Sequence, residues 1–453
     1  MPISDWYWCS LSRQSPAVFV VDTGASGRTR LQRAEAPPVN VDYHAKYANR
    51  SCLSYLKHGN EPNQGPTVDL SLLRRLNKSQ PRAAIDGLPA TFVRQGDALF
   101  RGLCSLLLIA TLGILLALVT RFPHYEMLSQ LPKRVENQAM SWQVHHPLTP
   151  IPADLKDVGL NGWAASHVDK MELRLTVPLL GCLSGTGIWT VVIWTPIAAM
   201  LLFYLLALCG RDATGDTTAA AFFVIGFGAT FFGSWGFNDF ICGDAVAFAL
   251  TLLSACCLRR PWLSGLCLLG AAFCDERSVI AAPLLLLYFI VRCAEPAEKT
   301  QRNQLLFAIL GTIGVWVLLR WWLSATFHLA MGTSFLASWD TFRGHLIPQT
   351  LFSLVGIFRA SWIIPVLAVR NLILHKDRML ATALVAAFGI AIVPAFLVVD
   401  LNRSICYSFM IFFISLRLLR HNANYLSNKY LAAIMLINIL ISPPSKTILR
   451  FLI

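Results

Sequence analysis

From Leu99 onward, apolar runs of membrane length follow one another, with one long break at about 121–183 and shorter polar breaks after it. About 20 residues of helix cross about 30 Å of hydrocarbon, so this pattern commits the chain to a bilayer. Eleven runs fit, at 99–120, 184–208, 217–236, 241–258, 262–274, 278–292, 304–324, 348–369, 379–399, 404–420 and 429–442. They lack the two-residue alternation of lipid-facing and lumen-facing side chains, which predicts helices rather than barrel strands. Composition agrees, because 55% of residues are hydrophobic and 14% charged, against roughly 25% charged in soluble domains. The expected fold class is all-α, a polytopic transmembrane helix bundle over residues 98–453. The surplus of 38 Lys and Arg over 25 Asp and Glu is read as loop charge facing anionic lipid, not as a nucleic-acid footprint.

Residues 1–97 form a different polymer, rich in Pro, Gly, Ser, Asn and Arg, with no apolar stretch longer than Ala17 to Val21. The expectation is a polar, disordered cytoplasmic extension that lacks the apolar core of a secretory signal. Its cluster Arg74, Arg75, Lys78, Arg82 and Arg94 favours retention on the cytoplasmic side. The twelve Cys, only Cys256 and Cys257 adjacent, lie mostly inside apolar runs and without a CxxC pair, and read as small core hydrophobes.

One stretch tests the topology. Between Trp262 and Val291 the triplet Asp275-Glu276-Arg277 interrupts what is either one long helix or two short ones. With two, the later inside loops carry Arg292, Lys299, Arg302, Arg370, Lys376, Arg378, Arg417, Arg420 and Lys429, and the outside carries Arg343, Arg403, Lys446 and Arg450. A single span inverts that ratio against the positive-inside rule, so two are expected, with the N-terminus cytoplasmic and the triplet on the opposite face. The expected localisation is therefore a multi-pass membrane protein, with a bacterial inner membrane as the membrane expected.

With that topology the acids segregate. Glu126, Glu136, Asp154, Asp157, Asp169 and Glu172 lie in the first outer loop, about residues 121–183, and Asp239, Asp244, Asp275, Glu276, Asp340 and Asp400 lie in later outer connections. The bundle must therefore bring several carboxylates to one face together with Arg277, Arg343, His345 and Arg403. The plain reading of Asp239, Asp244 and Asp275 is helix N-capping, and that of Asp400 with Arg403 is a structural ion pair. Three adjacent ionisable groups at the end of a short span are costlier than caps require, because desolvation there is expensive. Asp239, Asp244 and Asp275 also have the donor chemistry for a divalent cation. His145 and His146 read as surface or hydrogen-bonding residues, since no further ligand stands at metal spacing. Arg359 falls well inside the eighth run, where it snorkels, caps a shortened helix or faces a cavity as a phosphate ligand.

The layout resembles the C-type membrane glycosyltransferases (GT-C), which use sugars linked to polyprenyl phosphate. The likeness lies in a single span followed by a large outer loop, Arg174 with Pro178 leading into the second span, Asn238-Asp239 after the third, and the run from Arg259-Arg260-Pro261-Trp262-Leu263 to Asp275-Glu276-Arg277. It implies a divergent bacterial-type member, a membrane-lipid environment and a polyprenyl-phosphate sugar as donor. In that family a carboxylate soon after the first span is the general base and basic side chains hold the lipid phosphate. Here Glu126 is the nearest acid, in Arg121-Phe122-Pro123-His124-Tyr125-Glu126, without the paired acids often found there. Asp154, Asp157 and Asp169 are its substitutes, with Asp239 and Asp275 as further catalytic candidates. The expected substrate-binding set is Arg174, Glu276, Arg277, Arg343, His345, Arg359, Asp400 and Arg403. Carboxylate and Arg together suit deprotonation of an acceptor hydroxyl and stabilisation of a departing phosphate.

Two other classes stay open on the residues alone. A secondary transporter for a polar or anionic solute places ionisable groups at the bilayer midplane on broken helices. A membrane scaffold would recruit partners through the N-terminal extension.

Overall fold

The computed structural model describes residues 19–22, 30–33, 105–121, 135–156, 168–238, 243–295, 298–331, 349–397, 401–420 and 427–442. The chain divides into two units, Met1–Lys78 and Ser79–Ile453. In the first, strands β1 (Phe19–Asp22) and β2 (Arg30–Arg33) pair antiparallel, Phe19 opposite Arg33 and Asp22 opposite Arg30. The rest of the expected extension lies outside the described residues. This pair is the departure from an all-helical chain among the described residues.

Among the described residues of the second unit the regular structure is helix alone. Helix occupies each of the eleven apolar runs, and four helical segments are long and apolar enough to cross a membrane: Gly187–Thr214, Lys299–Phe327, Leu354–Leu374 and Arg378–Phe396. Six shorter apolar helices of 10–17 residues pack among them. The chain is thus a multi-pass membrane helix bundle. Its helices are α1 (Ser105–Thr120), α2 (Val135–His145), α3 (Ala153–Lys156), α4 (Thr176–Ser184), α5 (Thr190–Thr214), α6 (Thr217–Gly228), α7 (Phe231–Trp235) and α8 (Asp244–Cys256). There follow α9 (Pro261–Cys274), α10 (Arg277–Ile280), α11 (Ala282–Arg292), α12 (Lys299–Phe327), α13 (Gln349–Phe358), α14 (Ile363–Leu374) and α15 (Arg378–Ile392). The last are α16 (Leu401–Cys406), α17 (Met410–Arg420) and α18 (Asn428–Ile441).

The disputed stretch is two helices. Pro261, lacking an N–H, stands in the first turn of α9 where no intrahelical partner is needed. The helix stops at Asp275, whose backbone is extended (φ −154°, ψ 126°). Asp275 lies beside Asp244 at the start of α8, whereas α11 ends at Arg292 beside Asp212, near the end of α5. The acids thus mark one end of the bundle and Asp212 the other.

A stack of aromatic rings fills the centre. Phe232 lies 5.1 Å from Phe248 and 5.1 Å from Phe409, and Phe358 lies 4.7 Å from Phe412. Tyr407, 4.7 Å from Phe248, carries this stack up to the charged end. Such rings interlock without polar atoms to satisfy, giving the bundle a rigid floor beneath its ionic groups.

The eighth run is not one continuous helix. A 3₁₀ turn, Arg359–Trp362, separates α13 from α14, and Arg359 itself has φ +52°. A side chain in that left-handed conformation costs roughly 1–2 kcal/mol. Asn438 of α18 holds the break: its Oδ1 accepts the Ala360 N–H at 2.9 Å, its Nδ2 donates to Ser361 Oγ at 2.9 Å, and its carbonyl accepts Arg359 Nη1 at 3.0 Å. The Ala360 N–H at the break therefore finds a partner inside the bundle, as lipid demands.

Candidate functional site

At the end of the bundle marked by the acids, four segments deliver their charges to one point. Gly243 begins it. Its φ of +72° turns the chain into α8, and a Cβ there would lie 2.7 Å from Val177 Cγ2. The next residue, Asp244, is fully buried, and its carboxylate is held by side chains rather than by helix N–H groups. Arg403 of α16 grips it with two donors, Nε to Oδ2 at 2.5 Å and Nη2 to Oδ1 at 2.9 Å. Trp235 Nε1 donates to Oδ2 at 2.9 Å, Tyr407 Oη donates to Oδ1 at 3.3 Å, and Arg277 Nη2 reaches Oδ1 at 3.5 Å.

Asp275 is equally buried. Its Oδ1 accepts the Arg277 backbone N–H at 3.0 Å, which starts α10, and the same oxygen accepts Arg277 Nε at 2.7 Å. It is thus both a cap and an ion-pair partner. Arg174 Nη2 stands 3.4 Å from Asp275 Oδ2 and binds Glu276 Oε1 at 3.0 Å, while Arg174 Nε donates to Oε2 at 3.3 Å. Arg277 also donates to Ser404 Oγ at 3.2 Å and lies 5.2 Å over the Tyr407 ring.

Three carboxylates, Asp244, Asp275 and Glu276, therefore interlock with three guanidiniums, Arg174, Arg277 and Arg403. Burial alone raises the Asp275 and Glu276 carboxyls; the guanidiniums outweigh it, Arg174 foremost, and hold both below their ordinary values. A carboxylate so stabilised holds charge well and takes a proton poorly. The cluster orients; it is not built as a base.

Two more cations flank it. Lys170 is within electrostatic reach of Glu276 and Arg174, and burial pulls its ammonium below the ordinary value while Glu276 pulls it back. Arg320 of α12 is buried and feels Glu276, Arg174 and Asp275. Among the described residues it makes one hydrogen bond, from Nη2 to the Met331 carbonyl at 3.2 Å, and lies 5.1 Å over the Trp316 ring. The Trp316 indole N–H beneath it is buried with no partner. Glu172 fastens the loop by accepting the Ile151 N–H at 2.9 Å and the Ala330 N–H. Gln143 Nε2 of α2 donates to the Met171 carbonyl at 2.9 Å, pinning the same segment.

Of the residues singled out in the sequence, Arg174, Asp275, Glu276, Arg277 and Arg403 converge here, and Asp244 joins them. Asp154 is exposed on α3 and Asp169 half-buried before Lys170, neither in the cluster. Arg359 stands apart at its break, bonded to Asn438. Glu126, Asp157, Asp239, Arg343, His345 and Asp400 lie outside the described residues, and so does the expected Asp400–Arg403 pair. Arg403 holds Asp244. For a divalent cation the donor set is unsuited: Asp244 and Asp275 meet across Arg277, whose charge occupies the space between them. Among the described residues no three His, Cys, Asp or Glu stand together as ligands, and His146 stacks on Trp142 at 4.1 Å.

Sequence reasoning passed over Lys170, Arg320 and Tyr407. The flag for Arg320 was present, since an arginine inside an apolar run marks a functional candidate. Tyr407 stands four residues after Arg403, on the same face of the helix. No family model matches the chain, and no curated protein or solved structure is significantly similar to it.

Proposed function

We propose that the chain is an eleven-span membrane glycosyltransferase of the C type, transferring a sugar from a polyprenyl-phosphate donor at the face that carries the carboxylate cluster. In this reading that face is periplasmic, the N-terminus cytoplasmic and the membrane the bacterial inner membrane. One observation carries it: the three internal ion pairs are flanked by Lys170 and Arg320, which have no carboxylate partner within 4 Å among the described residues. Two surplus cations beside a neutralised cluster are the complement of a phosphate, which accepts several charge-assisted hydrogen bonds at once. The interlocked groups supply rigidity, so the phosphate's developing charge meets donors that need no reorganisation. The base is assigned to the outer loop, where Glu126, Asp154, Asp157 and Asp169 remain the acids to scan.

The test is direct binding and turnover with a polyprenyl-phosphate sugar in detergent. Lys170→Ala and Arg320→Ala are expected to weaken binding about ten-fold or more, the scale of a lost charge-assisted hydrogen bond. Loss of the base is expected to lower turnover by about 10² to 10⁴ and spare binding. A melting curve beside each variant separates site from scaffold. Purified wild-type protein that neither binds nor consumes any such lipid sinks the proposal.

The helix break at Arg359 favours a second reading, a transporter for a polar or anionic solute, because broken spans carrying charge are how transporters line a substrate path. Substrate-dependent ion flux in proteoliposomes, abolished by Arg359→Gln, would replace the enzyme with the transporter.

A further inference from the structure

The opposite end of the bundle gathers charge in another ratio. Asp212, near the end of α5, receives Arg292 Nε of α11 at 2.7 Å on Oδ2. Arg417 of α17 reaches the same Oδ2 at 3.5 Å and the Asp212 carbonyl at 3.3 Å. Arg420 donates to that carbonyl at 3.4 Å. Arg417 Nη2 also donates to the Arg292 carbonyl at 3.3 Å. Two guanidiniums thus reach the Asp212 carboxylate and a third its main-chain carbonyl, with Glu298 as a more distant party, 3.9 Å from Arg292.

The arrangement is built rather than incidental. Gly215 ends α5 with φ +71°, a left-handed conformation that favours glycine, and a Cβ there would lie 2.6 Å from Arg420 Cζ and displace that guanidinium. The carbonyls at the ends of α5 and α11 are thereby satisfied, as helix C-termini require. Capping of that kind takes one or two N–H groups from each arginine. It leaves most donors of Arg292, Arg417 and Arg420 unused among the described residues, in a cluster that is partly open: side-chain exposure is 21% for Arg292 and 17% for Arg417. The place matters as much as the count. Helices α11 and α17 are apolar up to Arg292 and Arg417, so the forks stand where helices leave hydrocarbon, at headgroup depth, beside the exposed Ile290.

We propose that Arg292, Arg417 and Arg420 form a binding site for the phosphate of an anionic phospholipid in the leaflet at this end of the bundle. A phosphodiester oxygen pair matches the planar fork of Arg417, and a basic pocket between spanning helices is the usual form of such a site. Ile290, exposed two residues before Arg292, offers an acyl chain apolar contact, which a free anion does not need. The site stands whichever reading of the carboxylate end holds, because it shares no residue with it.

The full chain is reconstituted in nanodiscs of phosphatidylcholine with and without phosphatidylglycerol, and lipid retention on transfer to neutral detergent is read by native mass spectrometry. Wild type is expected to retain phosphatidylglycerol about ten-fold over phosphatidylcholine, and Arg417→Gln/Arg420→Gln to lose that preference. Asp212→Asn is the variant that keeps the proposal falsifiable should the double variant fold poorly. Removal of the competing carboxylate frees Arg292, so retention of phosphatidylglycerol should rise. Equal retention of the two lipids by wild type, or an Asp212→Asn protein that loses the preference, overturns the site. Inorganic phosphate displacing the lipid at equal concentration overturns the lipid as its occupant.

Discussion

Both ends of the bundle set arginine against aspartate, yet at one end three carboxylates and three guanidiniums interlock in a buried, balanced cluster with Lys170 and Arg320 at its flank, and at the other three guanidiniums share one partly exposed aspartate. At the first, Asp244 and Asp275 are wholly buried and each is held by at least two guanidiniums. At the second, the Asp212 side chain keeps 35% of its exposure. The difference teaches how depth sets the use of a charge. Away from water an ion must be matched almost atom by atom, because the desolvation penalty is several kcal/mol per ion. At headgroup depth water and lipid complete the shell, so an excess of one sign is tolerated and becomes available to a partner.

The sharpest way to break the comparison is to remove one member from each end. Asp244→Ala leaves Arg403, Trp235 and Tyr407 facing a hole, and should destabilise the folded protein by about 3–5 kcal/mol, the cost of an uncompensated buried charge. Thermal melting in detergent, with expression level, measures it. An effect below about 1 kcal/mol would mean that water already fills this end.

Acid should separate the ends next. Asp275 and Glu276 titrate below their ordinary values of 3.8 and 4.5 in the folded protein. A depressed carboxyl contributes its full stability above the unfolded value and loses it as pH falls through the folded one. Melting temperature should therefore hold from neutrality to about pH 5 and fall below about pH 4, and the fall should be shallower in Asp275→Asn. A decline that begins near pH 6 would assign acid sensitivity elsewhere.

Between the two ends, Asn438→Leu should cost about 1–3 kcal/mol, because the Ala360 N–H and the Ser361 hydroxyl then lose their buried side-chain partner. The smallest effect is expected for Asp212→Asn, about 0.2–1 kcal/mol in a zwitterionic detergent, as for a solvent-screened ion pair. A loss as large as that of Asp244→Ala would erase the distinction between the ends. Denaturation melts of the two variants side by side decide it.

Much of this was legible in the chain. The apolar runs announce helices because a period and a length are local properties that each segment carries alone. The turn at Asp275 followed from charge counting, since positive residues on alternate loops encode which way each helix runs. The same counting placed Arg174, Asp275, Glu276, Arg277 and Arg403 at one end, and there they meet. It did not foresee that Asp244 would lie beneath Arg403, 159 residues away, rather than serve as an N-cap.

What the sequence by itself determined is therefore the inventory and its sorting: which segments enter lipid, and which charges stand at which end. Only the tertiary structure decided the partners. It drew Arg320 out of an apolar run to the carboxylate cluster, bent the eighth run at Arg359 around Asn438, and left Arg417 and Arg420 in excess around Asp212. The physical reason is that depth depends on one helix at a time, whereas pairing depends on how helices rotate against one another. That rotation is set by close packing of side chains from several segments at once, and no local pattern records it.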